Sequence, residues 1–287
     1  MPWLDKLGGD PQLTAWVAVA VLVEAALYAS MARERWRRKW QPRLLVAAAP
    51  LSCALYHVAL PQSSLKSVLW LGAMAAVFVL ASPALSRARH GWALLLALAA
   101  APILFKAFRP LYPTAGELRM EFLGQLMWIR TTLLTVLRDL QPQGVGFGFW
   151  PEAREWKTGL RYFLMLAPVA FVLAAATGFA RPAWPEADWP VVALNAVATF
   201  FGILWVVALS EEFFFRGLLQ QRAGLWAASA LFGLAHLGFR EFPNWRFAIV
   251  AAVAGVFYGL AFRAGGGIRA SMVTHALTVV FWRTFFR

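Results

Sequence analysis

The chain has 287 residues, 61% of them apolar and 14% charged, against about 45–50% and about 25% in soluble domains, which excludes a soluble enzyme and implies an all-α, polytopic membrane bundle. The net charge of +13 does not point to nucleic acid, because the basic residues cluster between apolar runs and no polar stretch is long enough for a reader domain. Anionic lipid at cytoplasmic loops is the partner such clusters suit, and the lone Cys53 excludes an internal disulfide or a cysteine-cluster metal site.

In chain order, residues 1–12 carry Asp5, Lys6 and Asp10 and lack a basic start. The apolar run 13–31 is too long for the core of a secretory leader, so it is expected to be an uncleaved membrane helix. Glu24 lies inside it and is expected to be structural. The segment Arg33-Glu34-Arg35-Trp36-Arg37-Arg38-Lys39-Trp40 is the densest basic run. The positive-inside rule puts it in the cytoplasm and the N-terminus outside. Runs 44–60, 65–81 and 91–108 each suit a span of about 17–20 residues, with Pro61, Pro83 and Pro110-Leu111-Tyr112-Pro113 expected at the breaks. His57 and His90 are expected to be structural.

Run 117–137 is helical by period, but Glu121 and Arg130 interrupt it, which leaves a span and an interfacial helix both open. Gly144 to Trp150 is no nucleotide loop, since no strand precedes it and no Lys-Ser/Thr follows. With Pro151 to Lys157 it reads as an amphipathic interfacial segment. Run 158–179 spans, and the Pro- and Trp-rich stretch 181–190 is an external loop. These spans bring the expected total to about 8–10 helices, with residues 1–140 as an N-terminal extension of four or five spans and residues 141–287 as the unit that carries the chemistry.

That chemistry begins at Ser210-Glu211-Glu212-Phe213-Phe214-Phe215-Arg216, at the end of an apolar run from Val191. An ionisable residue at a bilayer centre costs roughly 2.5–3.5 kcal/mol on insertion scales, so it is usually paired or functional. Spacing i,i+4 puts Glu212 and Arg216 on one helical face, where they can neutralise each other. Glu211 is left without a built-in partner. With a turn near Arg222 to Leu225, Glu211 and His236 each lie about twelve residues, or ~18 Å, from it on antiparallel helices. His275 arrives on the final helix at ~13–15 Å from the glycine turn 265–267. One carboxylate and two imidazoles are thus expected to converge inside the membrane, nearer the cytoplasm, in a C-terminal four-helix core. The residues allow a Glu-His-His zinc site with an open position, a glutamate base that activates water, or a polar packing network in a transporter or scaffold.

Glu-Glu-x-x-x-Arg at 211–216, Phe-x-x-x-His at 232–236 and a further histidine on the last helix resemble the CPBP family of CAAX proteases and bacteriocin-processing enzymes. These are relatives of the Ras-converting CAAX endoprotease. The resemblance covers roughly residues 191–286. It implies an intramembrane endopeptidase that cleaves a membrane-embedded or lipid-anchored substrate near its C-terminus. Glu211 then activates water, His236 and His275 complete the catalytic set, and Glu212, Arg216 and Phe232 support it. No cofactor is implied, with zinc on Glu211, His236 and His275 as the alternative. The family usually places Asn or Asp four residues after the third histidine to contribute to the oxyanion site. Here Val279 stands there, so Thr278 or Thr274 is the expected substitute. The resemblance also implies a multi-pass protein of a bacterial cytoplasmic membrane, and Val279 keeps a non-catalytic immunity or scaffold protein as the rival.

Overall fold

The computed structural model describes residues 10–58, 60 and 65–286. Residues 1–9, with Asp5 and Lys6, and Pro61 lie outside them. The chain divides into two units, Met1–Gln141 and Pro142–Arg287. The fold is all-α, and the described residues hold isolated β-bridges but no strand. Among the described residues, five helical stretches are long and apolar enough by themselves to cross a bilayer: Pro11–Ala32, Leu65–Arg87, Ala153–Thr177, Trp189–Ala235 and Trp245–Gly265. The remaining helices of the bundle are shorter or carry more polar residues.

In the first unit, α1 (Pro11–Ala29) opens on Asp10, whose carboxylate accepts the Gln12 amide at 2.9 Å, with proline at the first helical position. The short basic helix α2 (Glu34–Arg37) follows. Arg38 donates to Glu34, which holds that carboxyl below its usual range. Lys39 and Arg35 lie over the exposed Trp36 ring, at 4.4 and 5.6 Å from its centroid. The expected span 44–60 is two helices, α3 (Pro42–Ala48) and α4 (Leu51–Val58), because Pro50 has no amide hydrogen with which to continue the ladder.

Helix α5 (Leu65–Arg87) instead runs through Pro83, where a break was expected. In an apolar surround the backbone has no partners outside the helix, so one lost hydrogen bond does not end it. Ser86 donates to the Pro83 carbonyl at 3.0 Å. Helix α6 (Gly91–Leu104) stops four residues short of the expected end, with Lys106 beyond it in the left-handed region at φ 54°. Helix α7 (Glu121–Asp139) is buried along most of its length. This resolves its ambiguous sequence: its polar residues face protein. The fully buried Arg130 donates from Nε to Glu24 at 3.0 Å, Ser52 donates to the same carboxylate at 3.0 Å, and the Trp40 ring lies 5.2 Å from the guanidinium.

The second unit opens with the loop 142–152. Helix α8 (Ala153–Thr177) begins inside the segment expected to lie at the interface, because Glu152 and Glu155 form a reciprocal capping box that starts the helix there. Gly178, in the left-handed region, ends it. Arg269 ties this start to the last helix through Glu155 at 3.0 Å and Glu152 at 3.1 Å. Next come α9 (Trp189–Gly202), a π-helical stretch Ile203–Ala208, α10 (Leu209–Glu212) and a second π-helical stretch Phe213–Gln220. Helix α11 (Gln221–Ala235) contains Gly224 at φ 83° and ψ 168°, the point where the chain reverses. Helices α12 (Trp245–Gly265) and α13 (Ile268–Phe285) complete the unit.

Close approach in this unit depends on missing side chains. A Cβ on Gly233 would lie 2.5 Å from the Ala248 carbonyl oxygen, and one on Gly259 would lie 2.3 Å from both Gln220 and Leu225. Glycine there lets α12 pack against α11 and the second π-helical stretch at backbone distance.

Candidate active site

The second unit brings Glu211, Glu212, Arg216 and His275 together and sets His236 beside Phe232. The Gly224 reversal folds the chain so that Phe215 meets Phe232 edge to face, with ring centroids 5.0 Å apart. Glu211 and His236 lie four residues further from the turn on the two arms. Helix α13 supplies His275.

Glu212 is the centre of the arrangement. Its side chain is 0% exposed, and one oxygen accepts from Arg216 Nε at 3.0 Å while the other accepts from His275 Nδ1 at 2.8 Å. The i,i+4 pairing with Arg216 was legible in the spacing. The bond to His275 was not, since the sequence places that histidine only in a set with Glu211 and His236. The pairing neutralises a charge that would be costly in this setting, but the Arg216 Nη1 and Nη2 atoms find no hydrogen-bond acceptor among the described residues. The guanidinium instead packs on aromatic faces, 4.9 Å from the Phe232 centroid and 5.8 Å from those of Phe215 and Tyr258.

Glu211 is different in kind. Its side chain is 30% exposed, and its Oε2 lies 4.0 Å from His275 Nε2, too long for a direct hydrogen bond. Both histidines donate through Nδ1. His275 gives that proton to the Glu212 carboxylate and His236 to the Phe232 carbonyl, at 2.8 and 2.7 Å. Acceptor-only partners define the tautomer of a neutral imidazole, so Nε2 of each ring is its acceptor, and that of His275 faces Glu211. His236 is also held between Phe232 and Phe247, with centroids at 4.6 and 5.3 Å.

The remaining expectations fare differently. The alternative zinc set Glu211, His236 and His275 does not fit: among the described residues no three His, Cys, Asp or Glu side chains come together as a metal-holding group. Thr278 donates to the Thr274 carbonyl at 2.7 Å, and Thr274 donates to the Gly159 and Ala270 carbonyls at 3.1 Å. Neither hydroxyl proton is free for an oxyanion in this structure, because an apolar helix face leaves a threonine no better acceptor than its own backbone. Tyr258, stacked on His275 at 4.7 Å and 14°, was not singled out from the sequence, where it is one aromatic in an apolar span.

Comparison with known proteins gives the same segment a family. Residues 192–281 match the family described as Type II CAAX prenyl endopeptidase Rce1-like. The chain is 34% identical over 70 residues to an uncharacterized protein, YpbD, of Bacillus subtilis (strain 168). That alignment takes in 24% of this chain and 36% of the relative, so the chain spans about a third of the length of the curated protein it matches. No solved structure matches. Residues 192–281, which hold Glu211, Glu212, Arg216, Phe232, His236 and His275, are thus similar to the Rce1-like, type II CAAX prenyl endopeptidase family.

Proposed function

We propose that the second unit is a CAAX-type intramembrane endopeptidase in which Glu211 activates water against a peptide bond of a membrane-associated substrate, near that substrate's C-terminus. The observation that carries this reading is the contrast between two adjacent acids. Glu212 is sealed and doubly bonded, while Glu211 is partly exposed and shares a 4.0 Å gap with His275 Nε2. Glu211 Oε2 is a buried acceptor with no hydrogen-bond partner among the described residues, an unmet demand that a bound water would satisfy. Glu211 takes one proton as the water oxygen attacks the carbonyl carbon, and the same carboxyl returns it to the amine as the C–N bond breaks. The Nε2 faces of His236 and His275 act on the water and on the oxygen that gains charge. Glu212, Arg216 and Phe232 hold the two imidazoles in place. The zinc alternative is left aside, since its three side chains do not gather as a metal-holding group among the described residues.

A bilayer setting accommodates the rest of the chain. The basic segment 33–40 with its exposed Trp36 suits anionic headgroups on the cytoplasmic side of a bacterial inner membrane. The first unit then serves as a transmembrane extension, residues 1–140, against which a substrate docks. A second reading, a non-catalytic immunity or scaffold protein, draws on Val279 and on the back-bonded Thr278 and Thr274 hydroxyls, which leave no side-chain donor at that turn of α13.

The deciding experiment compares the C-terminal peptides of the membrane proteome in cells that express the full chain or its Glu211→Ala variant at equal levels. Peptides that end at new positions only with the intact chain are the expected result. Identical C-termini in both would favour the second reading.

A further inference from the structure

Helix α12 contributes no acid, base or histidine to the motifs, yet it places one side chain against both partners of Glu212. Tyr258 is 2% exposed. Its ring is stacked nearly parallel on the His275 imidazole, at 4.7 Å and 14°, and it lies 5.8 Å from the Arg216 guanidinium. It also meets Phe232 edge to face at 5.8 Å. Two glycines flank it on the helix. A Cβ on Gly255 would lie 3.2 Å from the Ser229 backbone, and one on Gly259 would lie 2.3 Å from Gln220 and Leu225. The backbone of α12 comes this close only without those side chains, and that approach delivers the Tyr258 ring to the site.

We infer that Tyr258 is a positioning residue of this site, its ring holding the His275 imidazole in the plane that directs Nδ1 to Glu212 and Nε2 to Glu211. A single hydrogen bond through Nδ1 leaves the imidazole free to tilt about that bond. A face-on aromatic partner removes that freedom, and such ring pairs contribute beyond their buried area. The ring does this rather than the hydroxyl, because the contact with His275 is face to face. The inference deepens the proposed hydrolysis but rests on it only for kinetics, so its first test needs no substrate.

That test is the rate at which diethyl pyrocarbonate modifies His275, read by peptide mass spectrometry on the full chain in lipid nanodiscs, with exposed His90 as the internal reference. Modification of a buried ring requires a fluctuation that swings it out. Loss of the stacking partner raises the population of that state, and the rate, roughly three- to tenfold. Tyr258→Leu and Tyr258→Met are expected to show this increase, and Tyr258→Phe is expected to restore the wild-type rate. Should Tyr258→Phe react as fast as the leucine variant, or both aliphatic variants react at the wild-type rate, the inference is overturned. If the leucine variant unfolds, His236 rises to the His90 rate along with His275, and the methionine variant, which fills the volume with a flexible chain, carries the comparison. In a cleavage assay on a membrane substrate found as above, the aliphatic variants should lower kcat with KM held. A protein that passes the modification test without cleaving anything would refute the hydrolysis and leave the positioning intact.

Discussion

The contrast between the two adjacent glutamates can be tested by the same isosteric change at each. Glu212→Gln keeps one acceptor oxygen but sets an amide against the second donor, in a side chain that is 0% exposed and bonded to both Arg216 and His275. Breaking one side of a buried ion pair costs about 3–5 kcal/mol, and the retained bond returns about 1 kcal/mol. The expected loss is therefore about 2–4 kcal/mol, roughly thirtyfold or more in the ratio of folded to unfolded protein. Glu211→Gln removes the charge of a side chain that is 30% exposed and has its ionic partner 4.0 Å away, so the expected loss stays below about 1 kcal/mol. Equilibrium unfolding of the full chain in mixed micelles measures both. On the proposed function the Glu211 variant is stable and inactive, whereas the Glu212 variant is inactive because it is damaged. Equal stability losses at the two positions, or cleavage retained by the Glu211 variant, would refute the division of roles.

Glu24→Ala should destabilise the full chain by about 3–5 kcal/mol by leaving Arg130 buried and unpaired, with most of that recovered in a Glu24→Met, Arg130→Met double variant, both read by micelle unfolding. Gly259→Ala should cost about 1–3 kcal/mol through overpacking, since its Cβ would lie 2.3 Å from Gln220 and Leu225. Gly202→Ala, with nothing within 4 Å, should gain about 0.5–1 kcal/mol from helix propensity. Because the donor set does not gather round a metal, prolonged dialysis against a zinc chelator should leave the rate of substrate cleavage unchanged, and lost cleavage restored by added zinc would contradict the site as described.

Local spacing was the part of this site most open to reading from sequence. The Glu212–Arg216 pair follows from helical period alone, and the reversal near Gly224 follows from the turn expected at Arg222 to Leu225. Contacts that join distant segments left no comparable trace. Glu24 and Arg130 are 106 residues apart, and neither carries a local sign of the other. His275 lies near both acids, and its direct bond to Glu212 was not legible, because rise per residue fixes depth and says little about rotation. Tyr258 was hidden for another reason: its signal is two glycines at close-packing distance, which in sequence look like small residues in an ordinary span. Pro83 shows the opposite limit, where a strong local breaker is overruled by surroundings that offer the backbone no other partner.

The wide turns on both sides of Leu209–Glu212 have a consequence for how this segment is aligned and altered. A helix wound at i→i+5 accommodates surplus residues relative to the common winding. A wheel drawn at 3.6 residues per turn from Trp189 therefore drifts out of phase before it reaches the far end of the run. A deletion that tightened residues 203–208 would leave a longer, more regular rod. It would also rotate the acidic pair away from the histidines, so the irregular winding is what keeps the two sides of the site in step.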